Sequence, residues 1–318
     1  MSRIRVGFVG AGNRARYYIH PTINDLAEMA EVVAVCDLDQ ERLNQCADSY
    51  GVQARYTDLQ RMLDEVELDA CFCVGPPMHS LEMIMPCLQA GKHVLTEKPL
   101  GMDSGESARM ADAAAEHGCV TLVGFNRRFT PVIEHCRRLV AERGGPTQVT
   151  AEFHKYMLGQ PPYYDMSIVV MDVIHSVDLI RHLMGEPAAV HSAVRRRYND
   201  WDNVFNTLLT YDDGGVAVLT ANRASGTRIE RFEIHGRGIG CYILPPDHAE
   251  IWVDDEKQPT VVSGAELAGS DQHYVKYGCV EQSRHFFECI LQDRETITSF
   301  ADATVTMRLC ETIEQGTL

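Results

Sequence analysis

Two short stretches of this 318-residue sequence combine residue types and spacing suited to moving a proton and steadying a charge. Glu97-Lys98-Pro99, in HVLTEKPLG, puts a lysine directly behind an apolar run. An ammonium at the carboxyl end of a buried strand polarises a carbonyl or stabilises a developing alkoxide. Pro99 stiffens the turn, and Glu97 is placed to hold the lysine. The same residues also fit a surface ion pair in a loop. Asp172, His175 and Asp178 stand at i, i+3 and i+6 in MDVIHSVDLIRHLMG, on one side of a helix. A histidine flanked by carboxylates is a general acid or base near neutral pH. It is equally a half-buried helix histidine beside a capping aspartate.

A third grouping binds rather than reacts. Gly10-Ala11-Gly12-Asn13-Arg14-Ala15 matches GxGxxG/A between a strand and a helix. Gly10 permits the tight turn, Gly12 lets the backbone approach a pyrophosphate, and Ala15 allows close helix–strand packing. Free N–H groups at the helix start, around Asn13 and Arg14, then face the phosphates. Asp37 ends the next strand, 25 residues after Gly12, where a carboxylate accepts ribose hydroxyls and repels a 2′-phosphate. Leu38 follows it, so NAD is expected over NADP, with Arg42 facing solvent. Glu97 is then also in reach of the nicotinamide ribose. Pro76 and His79, in GPPMHS past the third strand, and Asn126, in NRRF, are further cofactor candidates. His79 also fits a first helical turn, and Asn126-Arg127-Arg128 also fits a domain junction.

These residues need a frame. Apolar runs at 4–10, 31–37, 69–75, 93–99 and 120–125 alternate with helical stretches at 13–29, 39–50, 58–66, 79–90 and 103–117. Pro21 is expected to kink or break the first helix. Continuous apolar strands between helices predict a parallel sheet covered on both faces. After about residue 125 the pattern becomes α+β. Helices are expected at 130–143 and 165–184, with alternating strands at 148–156, 188–198, 204–211, 215–223, 230–236 and 239–244. Asp212-Asp213-Gly214-Gly215 reads as a hairpin turn. Helices at 279–292 and 301–314 close the chain. The expected domains are 1–124 for the dinucleotide and 125–318, closing helices included, for substrate and subunit contacts.

Composition narrows the classes. Lysine and arginine total 29 against 45 acids, a net charge of −16. Such a surface repels phosphate backbones and anionic lipid, so neither nucleic acid nor membrane is an expected partner. Arg195-Arg196-Arg197 reads as a solvated edge, or as a site for an acidic subunit or an anionic substrate. Eleven cysteines, an odd number, sit mostly in apolar runs and read as buried free thiols of a reducing cytoplasm. No CxxC pair or HxxxH cluster is present, so no metal is expected. A strand beginning at Ile4 leaves no room for a signal peptide, and no apolar run is long enough to span a bilayer. Only five residues are lysine, which gives weight to one inside a motif.

Over nearly its whole length the chain resembles the Gfo/Idh/MocA oxidoreductases, named for glucose-fructose oxidoreductase and inositol dehydrogenase. GFVGAGNRA, Asp37, AGKHVLTEKPLG, VGFNRRFTP, HSVDLIRHLMG and EQSRHFFECI carry the resemblance. It implies a Rossmann domain followed by an α/β domain with an open, largely antiparallel sheet, one face for substrate and the other often pairing subunits into a dimer or tetramer. It implies NAD-dependent exchange between a secondary alcohol and a ketone of a sugar or cyclitol, with Lys98 and His175 at the substrate. The family aspartate four residues before the histidine falls on Met171. The nearest acid, Asp172, would reach the site from a different angle. Two other functions belong to the same resemblance: a glycosidase that uses bound NAD without net redox change, and a dinucleotide-bound sensor. Specificity is expected in the aromatic loop 156–167.

Overall fold

The computed structural model describes residues 3–317, and the chain divides into two compact units. The first holds the chain up to Gly124 together with Cys279–Val305, and the second holds Phe125–Gly278 and the stretch from Thr306.

Six parallel strands form the first unit: β1 (Ile4–Val9), β2 (Ala30–Cys36), β3 (Ala54–Tyr56), β4 (Ala70–Cys73), β5 (His93–Thr96) and β6 (Thr121–Val123). Their order is β3-β2-β1-β4-β5-β6. The order reverses between β1 and β4, and an open α/β sheet takes its ligand at such a switch point. Val6, Phe8, Phe72 and Leu95 are wholly buried, which is why these strands read as continuous apolar runs. The helix Gln40–Tyr50 begins on Asp39, whose carboxylate accepts the Glu41 and Arg42 amides, and ends at Gly51 with φ of +66°. The helix expected at 13–29 breaks at Pro21. A π-helical turn, Ala15–Ile19, precedes a four-residue helix, Thr22–Asp25.

The helix Cys279–Gln292 belongs to this first unit, not to the second domain to which its sequence position assigned it. The reason is aromatic packing. Phe287 and Phe286 lie 5.8 and 6.1 Å from the ring of Phe72 in β4, and Thr22 bonds Ser283 at 2.9 Å. Beyond it, the Thr298 carbonyl accepts the Val123 amide at 2.8 Å beside β6.

The second unit is an eight-stranded sheet. Its strands are β7 (Pro146–Tyr156), β8 (Ala189–Arg195), β9 (Val204–Thr210), β10 (Val216–Asn222), β11 (Ala224–Gly236), β12 (Ile239–Leu244), β13 (His248–Val253) and β14 (Thr260–Ser263). The order is β14-β13-β12-β11-β7-β10-β9-β8, antiparallel except where β7 meets β10. Alternation shows in the burial: Val149, Ala151 and Phe153 are buried and their neighbours on β7 are not. The buried face packs under helices Pro131–Ala141 and Ile174–Met184. The expected hairpin joins β9 to β10. Strand β11 starts six residues before the expected boundary, and β3, β13 and β14 were not anticipated. Arg195, Arg196 and Arg197 are exposed on and just beyond the edge strand β8, as a solvated edge requires.

Candidate active site

In the first unit Gly10 follows β1 with φ of +90°, and a Cβ there would lie 2.2 Å from the Val74 carbonyl oxygen. Neighbouring backbone therefore excludes any side chain. Gly12 differs, because a Cβ there would meet no atom within 4 Å. No neighbouring atom demands glycine at 12, which leaves its backbone open to a ligand. Asp37 is 8% exposed and stands at the end of β2. Its Oδ2 accepts the Ala11 amide at 2.7 Å and its Oδ1 accepts the Asp39 amide at 2.8 Å. Arg42 is exposed on its helix, as expected from sequence, and also reaches back to the same carboxylate at 3.1 Å.

The Glu97-Lys98 pair follows β5. The Thr96 hydroxyl donates to the Cys73 carbonyl at 2.8 Å and ties β5 to β4. The Glu97 carboxylate lies 2.8 Å from Arg14 of the glycine turn, whose guanidinium stands 4.3 Å over the ring of Tyr18. Gly124 leaves room for this pair, since a Cβ there would come within 3.2 Å of the Glu97 carboxyl carbon. Glu97 thus meets the phosphate-binding turn, and Lys98 is half-buried next to it. Pro76 and His79 are exposed past β4, and His79 lies 2.9 Å from Glu82. The structure collects Gly10, Gly12, Asn13, Arg14, Ala15, Asp37 and Glu97 at one end of one sheet. That set fits a dinucleotide.

The second unit carries His175, 6% exposed in the first turn of the helix Ile174–Met184. Asp178 lies one turn further along the same helix. Its carboxylate takes Arg128 in a two-bonded fork at 2.6 and 2.8 Å and the Thr306 hydroxyl at 3.1 Å. Asp178 is an anchor. Asn126 and Arg127 are anchors too. The Asn126 amide donates to the Tyr277 carbonyl and accepts from Arg127, and Arg127 forks onto Glu230 at 2.8 and 2.9 Å. Both ends of the Asn126 amide are engaged inside the second unit.

Asp172 lies in a π-helical turn, Val169–Val173, ahead of that helix. Lys155 of β7 bonds it at 2.5 Å and Arg223 lies 2.8 Å from its other oxygen. Arg223 is wholly buried. Burial lowers the Lys155 ammonium from its usual range, Asp172 works against that, and Arg223 and Arg228 add to it. Burial likewise pushes the Tyr163 phenol up. Sequence reading singled out neither Lys155 nor Arg223. The only signal was a lysine inside a strand of a lysine-poor chain. The aromatic loop after β7 places Tyr163 and Tyr164 partly in solvent, and a surface hollow of about 480 Å³ is lined by Gly159, Gln160, Pro161, Tyr198, Asn199 and Asp200.

Comparison with known proteins agrees with both halves. Residues 4–125 match the family described as "Oxidoreductase family, NAD-binding Rossmann fold", and residues 133–238 match the "GFO/IDH/MocA C-terminal domain". Over 323 residues the chain is 25% identical to scyllo-inositol 2-dehydrogenase (NAD(+)) of Bacillus subtilis, covering 96% of this chain and 92% of that protein. It is 28% identical to myo-inositol 2-dehydrogenase of Thermotoga maritima over 292 residues, 86% of this chain and 82% of that one. Its fold matches the crystal structure of a dehydrogenase from Chromobacterium violaceum with a TM-score of 0.89, at 23% identity, over 99% of this chain and 95% of that one.

Proposed function

We propose that this chain, which belongs to the Gfo/Idh/MocA oxidoreductase family, interconverts a secondary alcohol and a ketone on a sugar or cyclitol with NAD as cofactor. The observation that carries the reading is the glycine turn. Gly12 is a glycine that no protein atom requires, beside a carboxylate already fixed by Ala11. Gly12 and the helix start would hold the pyrophosphate, and Asp37 the adenosine ribose. When bound, the nicotinamide supplies the hydride acceptor or donor.

The chain's own residues supply orientation and charge. Lys98 stabilises negative charge on the substrate oxygen, and His175 takes or returns the hydroxyl proton. Glu97, paired with Arg14, couples the phosphate turn to the lysine's segment. We assign Asp172 to positioning rather than to a proton relay, because its oxygens meet Lys155 and Arg223. Asp37 favours NAD over NADP, since a carboxylate repels a 2′-phosphate.

Names of relatives support the substrate class, as inositol dehydrogenases from two organisms align over most of the chain. Free thiols at all eleven cysteines, most of them buried, favour a cytoplasmic protein. Among the described residues no helix is long and apolar enough to cross a membrane. Exposed Leu208, Leu244 and Trp252 on the outer face of the eight-stranded sheet favour a homodimer or homotetramer through that face. A panel of cyclitols and sugars followed by NADH absorbance tests the reaction. Glycoside cleavage without net NADH would select the glycosidase, and NAD binding with no turnover would select the sensor.

A further inference from the structure

A ring of cations surrounds one aromatic side chain in the second unit. Arg223 stands 4.6 Å from the centre of the Phe153 ring, Lys155 5.0 Å and Arg228 5.6 Å. Strand register explains the grouping. Phe153 on β7 pairs with Glu230 on β11, Lys155 lies two residues further along the same face, and Arg223 follows the end of the neighbouring β10. Two carboxylates answer these cations. Asp172 faces Lys155 and Arg223, while Glu230 faces Arg228 and is also forked by Arg127. Although burial pushes the Glu230 carboxyl up, Arg127 and Arg228 hold it below its usual range.

The local sum is four cations against two carboxylates, in a chain whose total charge is −16. Adding the neighbouring Lys276–Asp247 pair leaves the surplus unchanged. Gathering cations in a dry site costs free energy unless anions compensate. Lys155 is partly exposed and Arg228 half-exposed, so the surplus is open to an incoming ligand. Asp172, which faces two of these cations, lies about one turn before His175. The ring of Tyr163, 6.0 Å from the Lys155 ammonium, supplies an aromatic wall.

From this juxtaposition we propose that the substrate is an acidic sugar, whose oxyanion is bound by Lys155 and Arg228 with Arg223 behind them. This rests on the dehydrogenase reading and narrows it from sugars in general to those bearing a carboxylate or a phosphate. Asp172 and Glu230 then keep the cations in place when the ligand is absent.

The test is calorimetric binding to the NAD-loaded protein, with glucose, glucuronate and glucose 6-phosphate as probes. NADH formation is followed separately on the same samples. One or both anions should bind at least about tenfold more tightly than glucose, and the preferred one names the oxyanion. Added salt should shrink the preference. Arg228→Gln, a half-exposed change that leaves Glu230 its Arg127 partner, and Lys155→Gln should each cut the preference severalfold. Glucose binding should be retained in both. Equal binding of all three sugars overturns the proposal, as does a preference that both variants leave intact. NADH from neutral polyols with no anion preference sinks this proposal and spares the dehydrogenase. Anion binding without NADH from any sugar does the reverse.

Discussion

The Ala11 amide donates to Asp37 Oδ2 at 2.7 Å, so the carboxylate proposed to hold the ribose also ties the glycine turn to the end of β2. Asp37→Ala removes that bond together with the ribose contacts. NAD should bind at least about tenfold more weakly, since bonds to a charged partner are worth of order 1–3 kcal/mol each. Arg42 also loses one of its two acids and becomes available to a 2′-phosphate. Discrimination against NADP should therefore fall. Titration of both cofactors checks this, and unchanged NAD affinity would remove Asp37 from the site.

Gly10 and Gly12 should separate folding from binding. Gly10→Ala combines a φ of +90° with a 2.2 Å approach to the Val74 oxygen, so it should cost more than about 2 kcal/mol of stability. Gly12→Ala meets open space. It should melt within a degree or two of the parent and still lose most NAD affinity. A Gly12→Ala protein that binds NAD normally would show that nothing approaches this backbone.

Much of this was legible beforehand, and the exceptions have physical causes. Strands β1, β2, β4 and β5 are buried on both faces, so apolarity alone marks them. Strand β3 has three residues, all half-buried, and carries no such mark. The first part of β11 is exposed and polar, and its register shifts between Ala224 and Ile229, which hid its start. The placement of Cys279–Gln292 depends on Phe286 and Phe287 reaching Phe72, more than two hundred residues away in sequence. At the site, the glycine turn, Asp37 and Glu97 announced themselves by local spacing. The partners of Asp172 did not, because Lys155 and Arg223 come from separate strands.

Asp172→Asn should act on stability first. The amide removes the charge that faces Lys155 and Arg223, and uncompensated buried charge costs about 3–5 kcal/mol. The melting temperature should fall clearly, and turnover per folded molecule should fall less. If kcat collapses while melting is unchanged, Asp172 is a proton relay after all.

His20 makes the first unit acid-sensitive. It is buried and stacked on Phe8 at 3.6 Å, and burial lowers its pKa to about 3. In the unfolded chain it titrates near 6.5. Between these values the unfolded state holds the extra proton, so stability falls as pH drops from about 6.5 towards 3. The slope from this group is at most about 1.4 kcal/mol per pH unit. His20→Phe keeps a ring against Phe8 and should flatten the pH 5–6.5 part of the melting profile. An equally steep profile would place the acid sensitivity elsewhere.

Lys98→Met should remove most turnover and leave NAD affinity nearly intact. Lys98 follows β5 directly after Glu97, which touches the phosphate turn through Arg14. A cation at that strand end favours a developing oxyanion over a neutral alcohol, so its effect falls on the transition state. Methionine keeps the apolar stem and removes only the charge. Loss of one positioned electrostatic donor costs about 10²–10³ in kcat. The pyrophosphate depends on the Gly10–Ala15 turn, which this change does not touch. Steady-state rates on a confirmed substrate, beside an NAD titration, give both quantities. A variant that binds NAD and keeps kcat within a few-fold of the parent would take Lys98 out of the chemistry, and the sensor reading would then gain ground.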